Sequence, residues 1–306
     1  MKNYLCIAIL ISAIIFSCIN SALIKEGCAD GIYLWYNSIV PILLPFMLLT
    51  GIIISLIRSM RISRQLAFMI SLAIGLLCGF PTGTMIITFF YEKQTLSKRD
   101  AQLLLPLCNN VSPMFLIGYV HSTFIKGTLP LYILIALIYL PQIICTAILY
   151  CVSYMHRDHN LCLQPETAAT ASEIQAASSK IPATVQQPDD QSMLVRCITN
   201  ITVIGIYMAI FSIISAVLCR YIPGTVTQIA TSFLEISNGI QEISAIDVPS
   251  KIKTALMISL TSFGGLSAIF QSRDTIRSSG LSFIKYILCK SGCGIICYVI
   301  TYAYLP

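Results

Sequence analysis

Residues able to do chemistry are few in this chain and fall at four places. The first two are Gly79-Phe80-Pro81-Thr82-Gly83 and Asn109-Asn110-Val111-Ser112-Pro113. Gly83 is flexible, Pro81 lacks an N–H and Pro113 pushes Ser112 out of the helical region, so neither stretch continues a regular helix. Both lie in apolar surroundings, where each freed backbone group is costly unless protein, water or a ligand satisfies it. Helix ends aim N–H groups at a solute, and Asn amides add directional donors and acceptors, so the two stretches read as a cradle for a polar solute or an ion, or else as a kinked, protein-buried helix pair whose Asn residues cap the break. The third place is Glu235, Asn238, Gln241 and Glu242, beside Gly239. Glu235, Asn238 and Glu242 fall at i, i+3 and i+7, one stripe of a helix. A carboxylate at membrane depth must be paired, cation-bound or protonated. Glu235 with Asn238 therefore reads either as a proton- or cation-coupling pair or as the wet face of an interfacial helix. Glu242, nearer the segment's end, reads as solvated. The fourth place is Ser262-Phe263-Gly264-Gly265-Leu266-Ser267 with Gln271. It reads as a second broken hairpin facing the first, or as a seam of small packing residues.

The candidate binding set is thus Gly79, Pro81, Thr82, Gly83, Asn109, Asn110, Ser112, Glu235, Asn238, Gly264, Gly265, Ser267 and Gln271. Cys289, Cys293 and Cys297 recur every four residues on one helical face. Close helix packing is their first reading and a metal stripe the other. Cys151, His156, His159 and Cys162 lack a recognised zinc spacing. His121 reads as an interfacial histidine, with a proton relay as the alternative. No cofactor or metal is expected. Neither His-Glu-x-x-His, nor a Walker A pattern, nor Gly-x-Ser-x-Gly occurs, so the chain does not read as an enzyme, and any active transport would draw on an ion gradient.

The elements that must position these residues are membrane helices. Of 306 residues 56% are hydrophobic and only 10% charged, where soluble domains carry about 25%. Mean hydropathy is +0.82. The ~10-residue alternation of an outer-membrane barrel is absent. The net charge of +6 is spread between segments, which is a topology signal and excludes a nucleic-acid partner. The expected fold class is an all-α, polytopic membrane protein with about 6–8 spanning helices, at ~20 residues each, plus two re-entrant or broken hairpins.

In chain order, Tyr4 to Ile24 reads as a retained first helix and Gly27 to Asn37 as a loop with Trp35 and Tyr36 at the interface. Ser38 to Ile57 reads as a second span. Arg58, Arg61 and Arg64 mark the cytoplasmic side, and two crossings before them place the N-terminus there too. A hairpin is expected near 66–91. Ser97-x-x-Asp100 opens the helix that leads to the Asn-Asn break. The N-terminal half ends near 155, 156–192 reads as a flexible linker, and the C-terminal half runs over 193–306. There Val226 to Ile246 reads as a span and a hairpin is expected near 254–272. Phe68-Met69-Ile70-Ser71-Leu72 and Leu256-Met257-Ile258-Ser259-Leu260 precede the two Gly-centred breaks. That match is weak alone, but the shared order of arm, break, charged turn and Leu-Ser helix keeps a duplication open. The crossing count makes the halves parallel.

At these residues the chain resembles the YlbJ-type sporulation integral membrane proteins, which carry a nucleoside-recognition (Gate) domain found also in nucleoside and ferrous iron transporters. The matching stretches are Trp35 to Pro41 with Leu44-Pro45-Phe46, Gly79 to Gly83, Tyr91-Glu92-Lys93 with Leu96-Ser97, Cys108-Asn109-Asn110 with Ser112-Pro113, Leu234 to Ile240, and Phe263 to Ser267 with Gln271. They keep their order over about residues 31–290, omitting the linker. Ser112 stands where the family often has Gly. The resemblance implies a multi-pass protein of the bacterial cell (inner) membrane, in a spore-forming or related organism, with a transport role and no assured nucleoside substrate. The function expected is a secondary transporter or permease of a small polar solute. The partners would be the lipid bilayer, the solute and a coupling ion, and a homo-oligomer is compatible with the sequence. The rival expectation is a non-transporting scaffold needed for spore envelope assembly.

Overall fold

The computed structural model describes residues 2–58, 60–160 and 193–306, and every regular element among them is a helix. Among the described residues six helical runs are long and apolar enough to cross a membrane: Ser21–Ile57, Lys98–Ile125, Leu131–Cys151, Cys197–Tyr221, Ser250–Arg273 and Phe283–Tyr304. The chain is an all-α, multi-pass integral membrane protein.

Helix α1 (Lys2–Ile19) meets α2 (Ser21–Leu34) at Asn20, and α2 continues through a π-helical turn (Trp35–Ile39) into α3 (Val40–Arg58). The loop expected over Gly27 to Asn37 is therefore helix. Its glycines serve contact: a Cβ on Gly31 would fall 2.8 Å from Ala209 Cα, in α9 (Met193–Tyr221). Trp35 donates to Ile201 O of α9 at 2.9 Å, so it packs helices together instead of anchoring an interface. The run Ser21–Ile57 has 37 residues, or ~55 Å at 1.5 Å per residue. A ~30 Å hydrocarbon core cannot hold all of it, and the end with Lys25, Glu26 and Asp30 is exposed.

Helices α4 (Arg64–Cys78) and α5 (Thr82–Glu92) pack on each other as a hairpin with its tip at Gly79 to Pro81. Both fall short of the ~20 residues a crossing needs. A capping box opens α6 (Lys98–Cys108): Ser97 Oγ accepts from the Asp100 N–H at 3.1 Å, and Asp100 accepts from the Ser97 N–H at 3.3 Å. The crossing breaks at Asn109 and resumes as α7 (Pro113–Phe115), which runs on as a π-helical stretch to Ile125. Helix α8 (Leu131–Asn160) crosses back. The linker expected over 156–192 is helix as far as Asn160, and the rest of it lies outside the described residues.

In the second half α9 crosses. Then α10 (Thr225–Ser232) and α11 (Ile236–Ala245) form a hairpin with its tip at Phe233-Leu234-Glu235. Helices α12 (Ser250–Phe263) and α13 (Gly265–Ser278) make one crossing broken at Gly264, and α14 (Phe283–Tyr304) follows. The second hairpin is thus at 225–245, not near 254–272, and Val226 to Ile246 is not a span. The reversal is held locally. Gly239 lies so close to Ser232 O that a Cβ would fall 1.9 Å from it, and Glu242 accepts from Ser232 Oγ at 3.0 Å.

Side-chain contacts sort the loops into two ends. One end joins the starts of α4 and α6 through the Arg64–Asp100 ion pair at 2.7 Å. It also holds the end of α8, where the Arg99 guanidinium lies 4.4 Å from the Tyr150 ring centre, and the start of α14, where the Ser282 N–H donates to Gln102 Oε1 at 2.7 Å. The other end joins Asn20 to Tyr221 at 2.7 Å, Lys253 to Ser244 O at 2.9 Å, and Lys251 to the Tyr302 ring at 4.6 Å. The first hairpin opens at the first end and the second at the other. The halves are therefore inverted, each a hairpin followed by a broken crossing and an unbroken one. The parallel arrangement expected from the sequence fails because it counts 226–246 as a crossing. The five-residue match also joins unlike elements, a hairpin arm (Phe68 to Leu72) and a crossing helix (Leu256 to Leu260).

Candidate functional site

Each hairpin tip is fastened to the broken crossing that follows it. In the first half the Phe80 N–H donates to Asn110 O at 2.7 Å. Gly79 has φ +70°, and a Cβ there would fall 2.4 Å from Asn110 O; one on Gly83 would fall 2.2 Å from Cys108 O. Only glycine allows this approach. In the second half the N–H groups of Leu266 and Ser267 donate to Phe233 O and Leu234 O at 3.0 and 2.8 Å. Glu235 is the N-cap of α11 and accepts from the Asn238 N–H at 2.8 Å. A carboxylate fits that place, because the N–H groups of a first turn lack helical partners and the helix dipole favours negative charge there.

The two tips meet across a cavity of about 420 Å³, a figure that includes space open to solvent. Phe80, Val111, Ser112 and Phe115 come from the first half; Glu235, Ile236, Ser237, Ser267, Ala268 and Gln271 come from the second. Ile39 and Leu43 of the long N-terminal run and Ile204 and Met208 of α9 close it with apolar surface. Its polar groups other than Ser112 all belong to the second half. Glu235 is 5% exposed and Ser237 fully buried. Gln271 Nε2 donates to Ser267 Oγ at 3.0 Å. Ser237 Oγ faces the Glu235 carboxylate, and Gln271 Oε1 finds no partner among the described residues. A buried polar atom left so costs about 1–3 kcal/mol, which a polar occupant of the cavity would relieve.

Of the residues expected at a site, Ser112, Glu235, Ser267 and Gln271 line this cavity. The others surround it without lining it. Gly79 and Gly83 seat the first tip. Pro81 is the N-cap of α5, after a cis peptide bond, and Thr82 is buried in its first turn. Asn109 and Asn110 turn the other way. Asn109 Nδ2 donates to Ser272 Oγ at 2.8 Å and Tyr286 Oη at 2.6 Å. Asn110 Nδ2 donates to Leu107 O at 2.7 Å, and its Oδ1 accepts from Lys290 Nζ at 2.6 Å. These amides hold the first break against the second half. Asn238 Nδ2 donates to Ser212 Oγ and ties α11 to α9. Gly264 (φ +92°) ends α12, and Gly265 (φ +77°) lies against Ile236 N. Glu242 is not simply solvated: it accepts from Ser215 Oγ at 2.9 Å and from Ser232 Oγ.

Three residues escape sequence reasoning. Phe80 and Ser237 line the cavity, and Lys290 is a buried ammonium inside an apolar helix. Lys290 leaves a readable signal, a charge well inside the span Leu281 to Tyr304, where Lys285 stands nearer its start. Ser237 has none until the chain is known to turn at Glu235. Protein-family models, curated proteins and solved structures were compared with the chain, and none matches it.

Proposed function

We propose that the chain is a secondary transporter or permease for a small polar solute, with the cavity between the hairpin tips as its central site. One observation carries this reading: two hairpins entering from opposite ends, and two broken crossings, meet at a cavity lined by a buried carboxylate and an unpartnered amide oxygen. Secondary transporters are built this way, with inverted repeats and discontinuous helices around a midplane site. Glu235 disfavours an anion, so the solute is uncharged or cationic, and the carboxylate is the group that a coupling proton or cation would neutralise. Access would alternate as one half moves against the other. The resemblance to YlbJ-type membrane proteins with a Gate domain supports the same class and a bacterial cell membrane. The end carrying Arg61, Arg64, Lys93 and Lys98 would face the cytoplasm.

The test is uptake into liposomes by purified protein, under imposed proton and sodium gradients, of a panel of nucleosides, amino acids and small amines. Movement of at least one solute, reduced at least tenfold by Glu235→Gln, is the expected result. Folded protein that binds and moves none of them would overturn the transport reading and favour the envelope scaffold.

A further inference from the structure

We propose that Cys145, Cys289 and Cys293 form a binding site for a soft, thiol-seeking metal ion, Cu(I) in particular, that staples α8 to α14. The proposal stands apart from the transport reading. The three Sγ atoms lie within 4.8 Å of one another, and all three residues are free thiols. Cys289 and Cys293 sit one turn apart on α14, and Cys145 reaches them from α8. They are 5%, 0% and 8% exposed, and Leu149 and Ile296 pack against them. Cys297, one turn further along, lies outside this group: its thiol donates to Leu137 O at 2.8 Å, a tighter hold than that of Cys293 on Pro141 O at 3.7 Å.

The neighbouring charge is a second, independent observation. Lys290 is 1% exposed and its ammonium donates to Asn110 Oδ1. No carboxylate pairs with it among the described residues. A buried cation needs a compensating anion. A metal–thiolate centre beside it supplies one.

The donor set selects the metal. Zinc at a structural site takes four ligands, and this apolar cluster offers three sulfurs, with no histidine or carboxylate completing it among the described residues. Soft thiolates favour Cu(I), which carries no such four-ligand demand here. Two S–H bonds are replaced by two Cu–S bonds, and the two protons leave to solvent. The third sulfur donates a lone pair as a neutral thiol, and nothing is oxidised or reduced. Cu(I) with two thiolates carries one negative charge, which the Lys290 ammonium cancels.

The experiment uses the full chain purified in detergent under anaerobic, reducing conditions. It is loaded with Cu(I) and challenged with the chelator bathocuproine disulfonate, in parallel with a Zn(II) arm. The reference is the triple variant C145A/C289A/C293A, which subtracts copper held by exposed cysteines such as Cys6, Cys18 and Cys151. The wild type should retain one more Cu(I) per chain than the reference, with sulfur as the only neighbour in X-ray absorption. Cys145→Ser, Cys289→Ser and Cys293→Ser should each weaken that ion at least tenfold, and Lys290→Met should weaken it without removing a ligand. Cys297→Ala should keep it. Equal copper in wild type and reference would overturn the proposal, and so would single serine variants that bind like the wild type while running as folded monodisperse protein. Retention of Zn(II) in preference to Cu(I) would overturn the assignment of the metal.

Discussion

In the first half the hairpin tip donates: the Phe80 N–H reaches Asn110 O, and glycines at 79 and 83 let backbone lie on backbone. In the second half the tip accepts, because Phe233 O and Leu234 O cap the first N–H groups of α13. The two units share a plan and divide its tasks. The first is closed by main-chain contact and sends its amides, Asn109 and Asn110, outward to grip α13 and α14. The second leaves Glu235, Ser237, Ser267 and Gln271 on the cavity wall. The Gly-Phe-Pro-Thr-Gly stretch looks most like a site in the sequence, yet it packs backbone on backbone, and the carboxylate and amide of the cavity wall sit opposite it.

That contrast can be broken or sharpened by substitution. Gly79→Ala should do the greatest damage. At φ +70° and ψ −159° Gly79 holds a conformation essentially confined to glycine, at a cost of about 1–3 kcal/mol for a residue with a Cβ, and the collision with Asn110 O adds overpacking of about 1–3 kcal/mol. Thermal unfolding in detergent should show a large fall in Tm or no folded protein. Gly264→Ala meets the conformational cost alone, since the nearest atom to its Cβ would be Phe80 Cε1 at 3.8 Å. Equal harm from both substitutions would show that the glycines of the two breaks are not used differently.

Asn110→Leu should come next, at about 2–3 kcal/mol, because it strips the acceptor from a buried ammonium. Lys290→Met removes the charge and leaves only a neutral amide oxygen without its donor, so it should cost less than Asn110→Leu in protein free of metal. If Lys290→Met is the worse of the two in denaturant titration, the amide is not serving the ammonium. The smallest effect expected is that of Ser97→Ala, about 1 kcal/mol for a lost N-cap, read as a modest fall in Tm. A loss several times larger would mean that the start of α6 carries more than a cap.

Composition suffices for the helices and the membrane, since long charge-poor runs have no other stable home. The first hairpin is legible because Gly79, Pro81 and Gly83 announce a break between arms too short to span. The second is not. Phe233-Leu234-Glu235 contains no glycine or proline, and it reads as continuous helix because the residue that permits the reversal, Gly239, lies four positions beyond the turn. Gly264 misleads in the opposite sense, because a helix break in sequence does not say whether the chain bends or turns back. Only the α10–α11 contact and the capping of α13 by the tip decide that. Direction is the other missing quantity. Asn109 and Glu235 are equally conspicuous polar residues in apolar sequence, and one faces away from the cavity while the other faces into it.

The central claim is that the second half binds the solute and the first half holds the frame. The most direct measurement is the affinity of a solute taken from the uptake panel for purified Glu235→Gln, Gln271→Ala and Asn109→Ala proteins, with Tm determined on the same samples. Glu235→Gln and Gln271→Ala should weaken binding at least tenfold, a change of about 1.4 kcal/mol, at nearly unchanged Tm, and Asn109→Ala should lower Tm with affinity kept. Weaker binding by Asn109→Ala, with wild-type affinity in the other two, would contradict the account.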